Sequence, residues 1–399
     1  MMPLRRPAVG VLLAAVASCT TYDPADVALP TLAAGLARHD GPLTFESAVE
    51  LALANNGELM ARSAECRAAG LDVMPTELQG QLQQENLAAM VDPLALLGLT
   101  QRGASARLAE AQAFAAAAAL ATERWRVVAA IAEVFVASRA LADLPAVPPV
   151  DVDVEALVAA GLASPLAARA VRAAVAGVEA ERRAIQAEHA TLAAELRRLL
   201  GLSSESRFEL VLPPVDWPPV PPADETSVLR RPDLAEAQAR YQVADAEFRR
   251  AVADQYPSLM IGPDFMLRGS GVDPMAILRW PIGAAGPAEA SRERRGAARS
   301  RLLDALLAAL GEANSAAARH EAAAARARAT AATAQVAGQA LAAATVALQV
   351  EVDAFDRVAD TAPMMVREAM EARDAAMAAA RARVRAAAAA GWPAMEEAR

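Results

Sequence analysis

One pattern is written into this chain twice, and it limits the possible folds more than any other feature. The segment LTFESAVELALANNGELMARSAE (Leu43–Glu65) has its partner in RRPDLAEAQARYQVADAEFRR (Arg230–Arg250). Each is followed by a proline-opened stretch of hairpin size, about 75–103 in one half and about 257–286 in the other. A long helical pattern comes next, Ala104–Leu144 and Pro287–Leu348. A second long helix closes each half, at RRLLGL (Arg197–Leu202) and AAAAAGW (Ala386–Trp392). The unit is therefore helix, two strands, long helix, long helix. Between the units, LPPVDWPPVPPADE (Leu212–Glu225) cannot be helix interior, because proline lacks the amide hydrogen and clashes with the preceding turn. It predicts a stiff extended linker.

The strands announce themselves by period. In VADQYPSLMIGPDFMLRGSG (Val252–Gly271) the apolar residues Leu259, Ile261, Phe265 and Leu267 share one parity, and Asp264 and Arg268 the other. In the first hairpin Leu78 and Leu82 alternate with Glu77, Gln79, Gln81 and Gln83. The last candidate strand, Met275–Ile282, carries Trp280, which suits a membrane–water boundary. With Trp280 on the apolar face, Arg279 falls on the polar one. Periodicity alone leaves two homes for such a sheet: a small soluble sheet with one wet face, or the wall of a barrel in lipid.

Composition narrows the class. Of 399 residues 55% are hydrophobic but only 4% aromatic, and alanine, the best helix former, supplies much of the apolar count. That suits long, thin, closely packed helices. All 39 basic residues are arginine, and they are interspersed with acids to a net charge of −9, without the basic patch of a nucleic-acid binder. Cys19 and Cys66 allow no disulfide framework and no thiolate cluster, and His39, His189 and His320 lie far apart. Cys66 reads as a small packed residue in a helix. No nucleophile–base pair, phosphate loop or ligand cluster stands out, so neither an enzyme nor a cofactor or metal is expected.

The first residues, MMPLRRPAVGVLLAAVASCT, have a basic start, an apolar run too short to span a bilayer, and Val16-Ala17-Ser18-Cys19. This resembles a bacterial lipoprotein signal, 1–18, with lipid on Cys19. The plainer alternative is an ordinary signal peptide that holds a cysteine. Thr20, in place of an aspartate, favours the outer membrane. No other apolar run of about 18 residues appears, so no transmembrane helix is expected.

RRPDLAEAQARYQVADAEFRRAVADQYPSL resembles the second-repeat signature of the TolC-type outer-membrane efflux proteins. AGLASPLAARAVRAAVAGVEAERRAIQAEHATLAAELRRLLGL is similar to the closing helix of their first repeat, and LRWPIGAAG to their strand-to-helix exit. The resemblance runs from about Leu43 to Trp392. It implies a mainly α fold with a small β part, in which three copies build a helical tunnel joined to one shared β-barrel. It also implies a lipidated linker at 19–42, repeats at 43–211 and 230–392, a linker at 212–229 and a tail at 393–399. The function implied is a passive outer-membrane duct for efflux or export, working with a periplasmic adaptor and an inner-membrane pump and contacting outer-membrane lipid. Asp264, Arg268 and Arg279 would then face the water-filled barrel lumen. The competing reading is a lipid-anchored periplasmic scaffold or adaptor whose short hairpins do not span.

The chain departs from that pattern in places. From Glu133 to Gly161 the first repeat is shorter than its counterpart, and the gap coincides with DLPAVPPVDVDVE (Asp143–Glu155). Extended chain rises about 3.1 Å per residue against about 1.5 Å in helix, so fewer residues can reach the same tip. At the tip, where the resemblance puts adaptor docking, AAGLAS offers Ala160, Gly161, Leu162 and Ser164. The second tip offers Val350 and Glu351, with valine where glycine is usual. The resemblance also implies a ring of aspartates at the tunnel mouth, for which Asp353, Asp356 and Asp360 are the candidates. A solvated helix face with acids near its N-terminus is the equal alternative.

Overall fold

The structure, a computed structural model, describes residues 29–72, 79–83, 86–90, 101–147, 154–159, 164–222, 224–256, 258–266, 272–279, 285–347 and 354–393. The first half runs α1 (Leu29–Ala34), β1 (Asp40–Leu43), α2 (Phe45–Asn55), α3 (Gly57–Asp72), β2 (Gln79–Gln83), β3 (Asn86–Met90), α4 (Gln101–Ala142), α5 (Val154–Ala159), α6 (Pro165–Leu200) and β4 (Arg207–Leu210). The second runs α7 (Glu225–Val228), α8 (Pro232–Ala253), β5 (Ser258–Met266), β6 (Val272–Arg279), α9 (Ala285–Ala347) and α10 (Ala354–Ala389). The closing helices α6 and α10 have 36 residues each, whereas α4 has 42 and α9 has 63.

Local chemistry sets the breaks. The segment expected as one helix from Leu43 to Glu65 is two. Thr44 and Ser47 form a reciprocal capping box at the start of α2, and Leu43 belongs to β1. Asn56 turns extended (ψ 120°) and separates α2 from α3. Its amide donates to the Leu199 carbonyl at 2.8 Å, and its side-chain oxygen accepts from Leu59 N–H at 3.1 Å. In the second half Arg231 and Pro232 make the corresponding break between α7 and α8.

Both closing helices end alike. Leu202 N–H reaches Arg197 O at 2.9 Å, and Trp392 N–H reaches Ala387 O at 2.9 Å. Gly201 (φ 63°) and Gly391 (φ 86°) take the left-handed position between. A methyl group on Gly391 would sit 2.7 Å from Ser227 O, and one on Gly201 would overlap Asn55 O. The two halves thus use one joint, a glycine-terminated helix end abutting the helix that opens its own half.

The stretch expected as a stiff extended linker packs against the body. Its Trp217 and Val220 are partly buried against α4 and α10, and α7 lies within it. Arg383 of α10 donates to the carbonyls of Val215 (3.1 Å), Pro218 (3.1 Å) and Asp216. Prolines leave carbonyls without local donors, and the arginine satisfies them. The sequence also gave no sign of the parallel pair β1–β4, joined from Asp40↔Arg207 to Leu43↔Leu210. Four-residue strands lack a readable period.

Helix α4 stops at Ala142, and 143–147 are not helical. Leu144, Pro145, Ala146 and Val147 line a groove with Ile185 of α6, Ala334 and Gly338 of α9, and Met365 of α10. Nearer the tip, Val171 and Val178 of α6, Leu341 of α9, and Val358 and Met365 of α10 form one core, joined by Val154 of α5.

Candidate functional site

Three places bear on what this fold can do: the sheet, the waist where the halves meet, and the tip. The sheet is antiparallel in the order β2-β3-β5-β6, so one hairpin comes from each half. Opposed residues in such a pair share a face. One face therefore holds Leu82, Leu87, Phe265 and Val272 across all four strands, and along it Gly80, Ala89, Leu259, Ile261, Pro263, Pro274, Ala276 and Leu278. None of these twelve positions carries a polar residue type. The other face is mixed: it holds Gln79, Gln81, Gln83, Asn86, Ser258, Asp264, Asp273 and Arg279 together with Ala88, Met90, Met260, Gly262, Met266, Met275 and Ile277. Asp264 and Arg279 thus share this face by register. Arg268 and Trp280 lie outside the described residues. Pro263 stands opposite Pro274, a pairing tolerable only where neither amide is needed across that pair. Strands β2 and β6 are both edges.

The waist gathers three of the chain's four tryptophans. The Phe45 ring lies 4.4 Å from that of Trp217, 5.9 Å from Phe135 and 6.2 Å from Trp392, and Trp217 meets Trp392 edge-on at 5.5 Å. The Trp125 indole N–H donates to Trp392 O at 2.9 Å. Over the Trp125 ring, at 5.5 Å, lies the Arg231 guanidinium, only 4% exposed. It pairs with Asp233 (2.7 Å) and Glu312 (2.8 Å) and donates to Ala389 O (3.3 Å). Burial works against its charge, but the two carboxylates outweigh this and raise its pKa above normal. The arginine of the RRPD motif therefore ties α8 to α9 and to the end of α10. Sequence reasoning valued that motif for its resemblance and missed this role. The scarcity of tryptophan was the readable signal, since a residue used four times and large enough to knit elements together has few idle places.

Along the closing helices, Glu181 of α6 meets Arg373 of α10 at 2.9 Å, with side chains 4% and 13% exposed. Burial raises the Glu181 pKa, and Arg373 pulls against it. The bridge joins the two halves midway between waist and tip.

At the tip, Asp356 lies in the first turn of α10 and Asp360 one turn on, both exposed, while Val358 between them is buried. The two aspartates therefore share a solvent face. Ser164, exposed, stands just before α6. Asp353, Ala160, Gly161, Leu162, Val350 and Glu351 lie outside the described residues, as do Cys19 and Leu267. Cys66 is half-buried in α3. Among the described residues, no helix is long and apolar enough to cross a membrane, and no three His, Cys, Asp or Glu gather as a metal site.

No family model matches the sequence, and no curated protein matches it significantly. Solved structures do. The outer-membrane channel OprN superposes with a TM-score of 0.68 at 20% identity, over 87% of this chain and 89% of its own. The chain has the fold of the outer-membrane channels. The CmeC outer membrane channel of Campylobacter jejuni gives 0.68 at 13% identity, over 87% and 85% of the two chains. The outer membrane protein VceC of Vibrio cholerae gives 0.64 at 19%, over 87% and 96%. At such identities the likeness is one of fold. The mainly helical architecture and the TolC-type resemblance read from the sequence hold at that level.

Proposed function

We propose that this protein is the outer-membrane duct of an efflux or export assembly, a passive channel built from three copies. The two-faced, open-edged sheet carries the reading. Twelve apolar positions on one face call for a non-aqueous partner, and two edges unpaired among the described residues call for more strands. In lipid every backbone group needs a partner, so a sheet can span only as a closed barrel. Three copies of four strands would close it, with the Leu259 face toward lipid and Asp264, Arg268 and Arg279 toward water.

Helix α9 supports the same assembly. Its exposed side shows Leu303, Leu307, Ala318, Ala325, Ala332, Val336 and Val346, with Leu307 69% exposed. These recur at helical spacing over about 65 Å. A long exposed side rich in small and apolar residues, broken by Asn314, Glu321 and Gln339, suits packing against another copy's helices. The repeats at 43–211 and 230–392 would each give one hairpin to the wall and one helical arm to the tunnel. Lipid on Cys19 would hold the chain at the outer membrane. The tip, with Ser164 and the 160–162 and 350–351 turns, would meet the periplasmic adaptor, and Asp353, Asp356 and Asp360 would ring the mouth. Opening would separate packed tip helices on partner binding, with energy supplied by an inner-membrane pump.

The scaffold reading keeps one observation. Strands β2 and β3 have five residues each, against about 9–11 for a spanning strand. The deciding experiment replaces Cys19 with alanine behind a cleavable non-lipoprotein signal and washes membranes with carbonate. Retention in the outer membrane means that the sheets insert unaided, as a duct requires. Release of a correctly assembled trimer would mean that lipid was the anchor, and the scaffold would stand.

A further inference from the structure

An open groove of about 460 Å³ lies between α4 and α8. Arg107 of α4 and Tyr241, Gln242, Asp245 and Arg249 of α8 supply its polar lining, and Ala111 and Ala246 the apolar part. Its charges do not balance. Arg249 pairs with one Asp245 oxygen at 2.7 Å, and Arg295 of α9 with the other at 3.2 Å. Arg295 is itself held over the Phe248 ring at 4.8 Å. One carboxylate thus serves two guanidiniums, while Arg107 has no ion pair among the described residues. The half-buried Tyr241 adds a hydroxyl donor and Gln242 an amide. The surplus is positive and rich in donors. Guanidiniums meet phosphate oxygens with two parallel N–H bonds, so phosphate is the anion that suits this wall.

Position narrows the source of that phosphate. Arg107 lies about 9 Å along α4 from its start at Gln101, and Arg249 about 6 Å from the end of α8 at Ala253. Strand β5 begins at Ser258, and Tyr256, 63% exposed, stands between Arg249 and that strand. Tyrosine and arginine just outside an apolar span are the residues that meet lipid headgroups. The headgroup layer extends roughly 5–8 Å beyond each side of the hydrocarbon core. We propose that this groove binds the phosphodiester of an anionic phospholipid such as phosphatidylglycerol, from the leaflet that faces the periplasm. This rests on the reading of the sheet as a barrel wall in the outer membrane. An occupied groove would brace α4, which leaves the first hairpin, against α8, which enters the second.

The test uses the full chain, purified in dodecyl maltoside micelles doped with phosphatidylglycerol or with zwitterionic phosphatidylcholine. Native mass spectrometry counts the lipid retained by the parent, by R107Q/R249Q and by R182Q/R183Q. The last removes equal charge from exposed positions on α6, off the groove. Circular dichroism reports the fold of each, and the mass its assembly. The expected result is phosphatidylglycerol retained by the parent and by R182Q/R183Q and held about tenfold more weakly, or worse, by R107Q/R249Q. Phosphatidylcholine should be lost from all three. Phenylglyoxal gives a reading free of any variant: phosphatidylglycerol should shield Arg107 and Arg249 of the parent, but not Arg182 and Arg183, from modification. Equal retention by a well-folded R107Q/R249Q, or modification of Arg107 and Arg249 indifferent to the lipid, overturns the site while the duct stands. Equal shielding by inorganic phosphate at the same concentration would make the groove a site for free anions and overturn the lipid assignment. Release of an assembled Cys19→Ala trimer by carbonate takes the sheet out of the bilayer, and overturns the duct and this site with it.

Discussion

Arg231 shows how one side chain can carry a joint. Its five donors reach two carboxylates and a helix-terminal carbonyl from a buried position on an indole face, which lysine cannot imitate. Arg231→Met should cost about 2–3 kcal/mol, below the figure for a fully buried pair because Glu312 is half exposed and partly rehydrates. Thermal unfolding followed by circular dichroism in detergent reads this, and an unchanged midpoint would contradict the joint. His320 provides a pH test. Its Nδ1 is buried without a hydrogen-bond partner. Burial first, then the charge of Arg383, lowers its pKa from 6.5, while Glu321 opposes them. A depressed pKa means that the unfolded chain takes the proton more readily. The associated stability is present above pH 6.5 and is lost as pH falls through the folded value. Between about pH 7.5 and 5.5 the unfolding midpoint should drop more in the wild type than in His320→Gln. Glu181 is shifted upward from 4.5, so its contribution runs the other way and is lost as pH rises through its folded value. The two slopes therefore oppose each other where their windows overlap, and the His320→Gln comparison isolates the histidine.

Among the described elements, α9 carries the longest exposed side. Its inner side packs on α8 and α10 through Ala309, Ala313, Ala337 and Leu341, while Leu303, Leu307, Ala325 and Ala332 on its outer side are exposed among the described residues. Ala325→Glu with Ala332→Glu leaves good helix formers at exposed positions, so helicity should hold. The same charges buried between copies would lack partners. The double variant should keep its circular dichroism and lose its trimer in light scattering; a trimer that survives would place the interface elsewhere.

At the scale of the molecule the two halves carry ascending helices of unequal length. Helix α9 rises about 94 Å, and α4 with α5 about 72 Å. Were the two arms to end level, residues 143–153 would have to cover about 22 Å, and eleven residues reach about 34 Å when extended. That leaves slack worth about three or four residues. Deleting three should therefore leave the unfolding midpoint nearly unchanged. Deleting eight should pull α5 from α6 and break the Arg172–Glu155 pair, 2.7 Å in the intact chain. Hydrogen exchange at 154–159 would register the difference, and equal protection in both deletions would show that the segment spans no such gap.

Much of this architecture was legible in the residues. Repeat order, helix types and strand faces follow from periods of 3.6 and 2, which are local and need only neighbouring side chains. The polar parity of Asp264 and Arg279 was readable for that reason, and the break after Ala142 because Pro145, Pro148 and Pro149 forbid helix. The sequence by itself determined which elements form and which face of each is apolar. Tertiary structure alone decided what those faces meet. Asn56 caps a helix 143 positions away, and Arg383 binds a strap 165 positions distant. Trp125, Trp217 and Trp392 converge from three separate elements. Contacts across such separations depend on how rigid helices are laid side by side, and no window of sequence holds both partners.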